Sequence, residues 1–143
     1  WVNESGIGLP VNSETFIASG AVTRGHVVKA TGYSSTAGKL GPKVALSDAG
    51  TAKHVGIARR TSATTLPVEV QTSGLCTYAV AGGVLTLGTE YWLTSDASGK
   101  LVAAVHGDNI IAKLIKINKG AAASADGDEI TVEIVSSFLA VDN

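Results

Sequence analysis

The side chains able to do chemistry lie far apart in this chain, and their spacing decides against most of that chemistry. Five aspartates, Asp48, Asp96, Asp108, Asp126 and Asp128, fall in stretches rich in Gly, Ser and Ala such as Ser47-Asp48-Ala49-Gly50 and Ser95-Asp96-Ala97-Ser98-Gly99. Glycoside hydrolysis needs two carboxylates facing one cleft. Turn formation explains these better, with Asp capping its own turn and Gly taking positive φ. Asp126-Gly127-Asp128-Glu129 gathers the oxygens that Ca²⁺ prefers, but lacks the alternating Asp ladder and distal Glu of a calcium loop. His26, His54 and His106 show no His-x-x-x-His spacing, and the single cysteine, Cys76, has no Cys-x-x-Cys partner, so no local pair of zinc ligands exists. Cys76 sits in an alternating apolar stretch and reads as an inert core thiol. Gly6-Ile7-Gly8-Leu9-Pro10 lacks the preceding strand, following helix and Lys-Ser/Thr of a phosphate loop, and no Gly-x-Ser-x-Gly elbow is present. No set of nucleophile, base and oxyanion donors emerges. The expectation is a protein that is not an enzyme and takes no metal or cofactor.

Composition points the same way. The chain has 143 residues, a length suited to one domain with one core. Hydrophobic residues make up 45% and charged residues only 16%, so small polar side chains must cover much of the surface. A net charge of −1, from 11 basic and 12 acidic residues, gives no attraction for phosphate backbones, and the one basic cluster is the pair Arg59-Arg60. Direct nucleic-acid binding is not expected. No apolar run reaches the roughly 18 residues of a membrane helix, and no basic segment followed by an apolar one marks a signal peptide. The chain is expected to be soluble, with no membrane partner.

Short alternating apolar runs between turn signals predict strands throughout and no helix. The predicted strands are Thr15–Ala18, Gly25–Ala30, Lys43–Leu46, His54–Arg59, Leu66–Gln71, Leu75–Val80, Glu90–Thr94, Ile110–Ile117 and Glu129–Ser136, with Val84–Leu87 and Lys100–Val102 as further edge segments. In the last long strand Ile130, Val132 and Ile134 share one face, and Thr131, Glu133 and Val135 the other. The fold class is all-β, a compact antiparallel β-sandwich or small β-barrel. The 17 glycines are spread along the chain, which argues against a flexible linker between two domains. The division read from the sequence is an extended N-terminal arm over residues 1–20 and a single β domain over 21–143.

An internal echo supports two related half-sheets. Val44-Ala45-Leu46-Ser47-Asp48 resembles Tyr91-Trp92-Leu93-Thr94-Ser95-Asp96, each ending a strand in a Ser-Asp turn. His54–Ala58 and Ile110–Ile117 then follow, and after them Val68-Glu69-Val70 and Val132-Glu133-Ile134. The first residues lack alternation, and Trp1, Val2, Ile7, Leu9 and Pro10 form the candidate interface, an apolar arm suited to a neighbouring subunit. Tyr91 and Trp92 adjoin, and strand alternation predicts that one is core and the other exposed.

The segments Gly25-His26-Val27-Val28, Lys43-Val44-Ala45-Leu46-Ser47, Val55-Gly56-Ile57-Ala58 and Pro67-Val68-Glu69-Val70-Gln71-Thr72-Ser73-Gly74 together resemble the bacteriophage capsid decoration, or cement, proteins, over roughly residues 20 to 137. The resemblance implies a structural virion protein, assembled in the host cytoplasm, that sits on the outer surface of the capsid as a trimer, binds the major capsid protein and stabilises the shell. Two other readings fit the composition. One is a phage fibre or spike domain, against which the lack of long repeats counts. The other is a carbohydrate-binding or adhesin-like sandwich using Tyr78, Tyr91 or Trp92 as a stacking platform, against which the 5% aromatic content counts.

Overall fold

The structure, a computed structural model, describes residues 10–49, 53–89 and 91–139, with side chains as far as 135. Its strands are β1 (Asn12–Ala18), β2 (Val27–Ser34), β3 (Gly41–Leu46), β4 (His54–Ala58), β5 (Pro67–Val80), β6 (Trp92–Ser95), β7 (Leu101–Ala103), β8 (Asn109–Ile117) and β9 (Glu129–Leu139). They form one nine-stranded sheet in the order β1-β3-β2-β4-β5-β9-β8-β6-β7, with β1 also paired to β5. The all-β class read from the alternation is the class observed. The sheet is mixed, not purely antiparallel as expected, because β1 runs parallel to β3.

That pairing makes the sheet curl. β1 lies antiparallel to the first part of β5 and parallel to β3, β3 pairs with β2, β2 with β4, and β4 with β5, so five strands close into a ring. The second half repeats this connectivity strand for strand. The second part of β5 pairs with β9, β9 with β8, β8 with β6 and β6 with β7. β7 then returns to the end of β5 through a parallel bridge between Leu101 and Ala81. β5 therefore serves both rings. Gly74, at φ +89°, marks the crossing point inside it, and a Cβ there would lie 2.7 Å from the Val11 backbone. The pattern ends one strand at Gln71 and begins another at Leu75, whereas β5 runs through Thr72-Ser73-Gly74 as one strand.

The cores follow the same duplication. Ala18, Val22, Val28, Val44, Ala58, Val68 and Val70 fill the first ring. Matched through the pairings, Ala81, Leu85, Leu93, Leu101, Leu114, Ile130 and Val132 fill the second. Val27 and Ile57 point out of the first ring and belong to the second core, which joins the halves.

The expected repeat is thus present in another register. Val44–Leu46 corresponds to Leu101–Ala103, not to Tyr91-Trp92-Leu93, and Val68-Glu69-Val70 corresponds to Ile130-Thr131-Val132. The two Ser-Asp turns that suggest the other register are neighbours across the seam instead, where the Ser95 hydroxyl bonds the Asp48 carbonyl. The region read as an arm also divides. Residues 12–18 are an integral strand, since Phe16 and Ala18 face the first core while Ile17 between them points to the other side, and residues 1–9 lie outside the described residues. Val84–Leu87 forms no strand. Leu85 is buried there, and Thr86 makes an isolated bridge to Ala123.

Candidate interface surface

The aspartates singled out in the sequence are held in turns and ion pairs. Asp96 Oδ1 accepts from the Ser98 and Lys100 backbone N–H groups at 2.9 and 3.0 Å. Asp108 accepts from Val105 N–H at 2.9 Å and Asp128 from Ala125 N–H at 2.8 Å. The Lys119 ammonium, 2.7 Å from Asp128, holds that carboxyl below its ordinary range. Asp126 pairs with Lys100 at 3.1 Å, and Asp48 with Lys29. Among the described residues no three His, Cys, Asp or Glu side chains come together as a metal site. Cys76 lies in the second core, where burial pushes its thiol pKa up and suppresses the nucleophilic thiolate.

One arrangement superficially resembles a nucleophile and its base: Ser47 Oγ is 3.0 Å from His54 Nδ1. Ser47 is 1% exposed, however, and His54 Nε2 lies 3.0 Å from the Asn109 carbonyl. A carbonyl only accepts, so Nε2 carries the proton, Nδ1 accepts from Ser47, and the imidazole spans the seam between the halves. His26 also sits at the seam, its Nδ1 2.9 Å from the Ser98 carbonyl.

The surface feature that stands out is a cross-strand row on the outside of the second ring. Trp92 faces Lys113, Lys113 faces Glu133, and Glu133 faces Leu75, so all four share one side of the sheet. Lys113 Nζ is 3.0 Å from Glu133 Oε1, and this bond raises the ammonium's pKa and fixes the long side chain against the sheet. The same ammonium lies 5.9 Å from the Tyr91 ring centre. Tyr91 and Trp92 meet edge to face, with centroids 4.8 Å apart and planes at 77°. They are 50% and 40% exposed. The Ala104 N–H bonds the Trp92 carbonyl at 3.0 Å, which brings the exposed Val105 to the same corner.

The corresponding row of the first ring is Val27, Ile57 and Gln71, paired across β2, β4 and β5 in the same way. All three are buried by the second half. Gln71 donates to the Ser73 and Leu75 carbonyls at 3.0 and 2.9 Å and accepts from the Tyr78 hydroxyl at 2.7 Å. The face of the repeated unit that is an interface inside the molecule in its first copy carries, in its second, the exposed Trp92 and Leu75 on either side of a half-buried Lys113 and a buried Glu133. Tyr78, held by Gln71 and lying under the Arg24 guanidinium at 4.7 Å, is not a free platform.

Tyr91 and Trp92 do not divide between core and surface as expected. Alternation holds only inside a strand, and β6 begins at Trp92, which leaves Tyr91 free to fold against its neighbour. Of the arm residues proposed as an interface, Trp1, Val2, Ile7 and Leu9 lie outside the described residues. Pro10 is exposed, and its carbonyl accepts from Ser73 Oγ at 2.7 Å, leading the chain onto β5. The Trp-Lys-Glu-Leu row cannot be found from spacing, because its members come from four strands whose order only the topology supplies.

These features define a class of all-β protein: a duplicated five-strand unit, two rings sharing one long strand. No protein-family model matches the chain, and no curated protein matches it. Among solved structures, its fold is similar to that of the N base of head fiber gp8.5 in bacteriophage phi29, with a TM-score of 0.64 and 14% identity over 92% of this chain and 99% of that one. At that identity the likeness is one of fold.

Proposed function

We propose that this chain is a structural protein of a bacteriophage virion, which binds the outer surface of the head and stabilises it as a decoration protein. The supporting observation is the fold likeness to a phage head fiber base, which spans nearly the whole of both chains. It agrees with the resemblance of residues 20 to 137 to decoration proteins. In this reading the protein acts by binding alone. Each copy that binds assembled shell, and not its dissociated subunits, stabilises the shell by mass action. The partners are the major capsid protein and further copies of this chain, most simply as a trimer, and assembly takes place in the host cytoplasm.

The exposed corner of Tyr91, Trp92 and Val105 suits such a contact. Rigid aromatic side chains anchor interfaces at low entropic cost, and Tyr91 and Trp92 are already braced against each other. A second reading, the base of a head fibre, is favoured by the same fold likeness, since that protein is itself a fibre base. Cosedimentation with undecorated heads of the cognate phage tests the proposal. Saturable binding that raises the temperature of shell disruption supports it, and no binding to heads defeats it. Copies counted per head separate a decoration protein covering the shell from a fibre base occupying few positions. Trp92→Ala should weaken head binding at least about tenfold without lowering the unfolding temperature.

A further inference from the structure

Beside the parallel contact of β1 and β3 in the first ring lies a cavity of about 240 Å³. Its lining sets the apolar Ile17 and Ala18 beside Ser34, Thr36, Thr64 and the half-buried Lys39 and Lys43. No carboxylate among the described residues lines it. Lys39 Nζ donates to the Thr65 carbonyl at 3.3 Å and so is aimed along the cavity's rim.

The duplication shows what this place holds in the other ring. Val44 pairs with Ala18 as Leu101 pairs with Ala81, so Lys43 corresponds to Lys100. Thr65 N–H bonds the Ala18 carbonyl as Gly127 N–H bonds the Ala81 carbonyl, both at 2.8 Å, so Thr64 corresponds to Asp126. In the second ring Lys100 and Asp126 form an ion pair at 3.1 Å. In the first ring the lysine remains, the aspartate is replaced by threonine, and a second lysine has been added. Thr65 departs in another respect: it is held at φ +73°, a region costly for a residue with a Cβ, where its counterpart Gly127 sits at φ +89° without that cost. Sparsely populated backbone conformations of this kind concentrate at ligand sites.

We infer that this cavity is a binding site for a carboxylate carried by another protein, an Asp or Glu side chain on a loop that occupies the place Asp126 fills in the second ring. The two ammonium groups supply charge-assisted bonds to the carboxylate, and the surrounding hydroxyls receive the polar backbone beside it.

An NMR titration of the full chain tests this. The probes are a blocked glycine pentapeptide with a central aspartate, the same peptide with asparagine, and inorganic phosphate. The aspartate peptide should shift the amide signals of Lys39, Lys43, Thr64 and Thr65 saturably, and the asparagine peptide should not. The double variant Lys39→Gln/Lys43→Gln should bind at least about tenfold more weakly. Thr64→Asp, which restores the internal carboxylate, should be equally weakened while unfolding at or above the temperature of the parent. The inference fails if the asparagine peptide binds as well as the aspartate one, if neither binds, if phosphate alone binds, or if Thr64→Asp binds undiminished.

Discussion

The two rings share a connectivity and differ in what they enclose. At matched positions the first ring has Val22, Val28, Val44, Ala58 and Val68 where the second has Leu85, Leu93, Leu101, Leu114 and Ile130. Both rings have an antiparallel ladder at one side of the closing strand, β1 with β5 in the first and β5 with β9 in the second, but at the parallel contact the first ring has two pairs, Ile17 with Lys43 and Ala18 with Val44. The second has at that place a single bridge between Ala81 and Leu101, and it takes Val27 and Ile57 of the first half into its core. One unit thus tolerates two sets of core side chains of different size. The larger core is expected to contribute more to stability, since the transfer term scales with apolar area removed from water.

The sharpest way to break this comparison is to truncate one matched pair. Leu93→Ala should destabilise by about 3 to 4 kcal/mol and Val28→Ala by about 2 kcal/mol, read from urea unfolding midpoints. Equal losses would mean that the small ring carries as much of the fold as the large one.

Backbone spacing is a second test. Gly56 of β4 approaches β5 so closely that a Cβ would stand 2.1 Å from the Gln71 carbonyl oxygen. Its counterpart on β8 is Ala112, which is fully buried and accommodated. Gly56→Ala should therefore cost about 3 kcal/mol by overpacking, and Ala112→Gly about 1 kcal/mol. A harmless Gly56→Ala would show that the β4–β5 spacing can relax to accept a side chain as β8 does at Ala112.

Thr65 and Gly127 offer a smaller contrast. Thr65→Gly should stabilise by about 1 kcal/mol, because relief of the left-handed strain outweighs the added freedom of the unfolded chain. Gly127→Ala should destabilise by a similar amount. Thermal unfolding of both variants checks the pair. If Thr65→Gly destabilises, contacts of the threonine side chain outweigh its backbone strain.

How much of this is legible in the sequence follows from the range of the forces involved. Strand β9 is readable because Ile130, Val132 and Ile134 alternate with Thr131 and Glu133, a signal contained within the segment. The repeat is detectable but its alignment is not. Similar Ser-Asp turns stop any strand, whereas the true correspondence rests on pairings such as Ala58 with Val70 and Leu114 with Val132, which no local pattern encodes. The pattern divides β5 at Gly74 because a glycine after Thr-Ser looks the same whether the chain turns or bends and continues. Of the site residues, Trp92 and Tyr91 are conspicuous by type. Lys113, Glu133 and Leu75 join them only once strand order is known, and Lys43 gains significance only beside Lys100.

The seam between the rings provides the last and smallest test. His54 begins β4, and its counterpart on β8 is the purely apolar Ile110, so a titratable group stands in the first half where the second has none. Burial lowers the imidazole pKa from 6.5, only partly opposed by the Asn109 carbonyl bond and the charge of Asp108. The folded state therefore holds His54 neutral at pH values where the unfolded chain is taking up a proton. Stability is full above about pH 7.5, falls as pH drops through the unfolded value near 6.5, and stops falling once the lower folded value is passed. Between pH 8 and pH 6 the loss assignable to this residue should be at most about 0.8 kcal/mol. His54→Gln removes the titration, so its urea midpoint, though lower overall, should vary less over that interval than the parent's. An unchanged slope would assign the pH dependence to other groups and leave the Ser47–His54–Asn109 bridge as a contact indifferent to protonation, with Ser47 able to accept from a charged imidazole as readily as it donates to a neutral one.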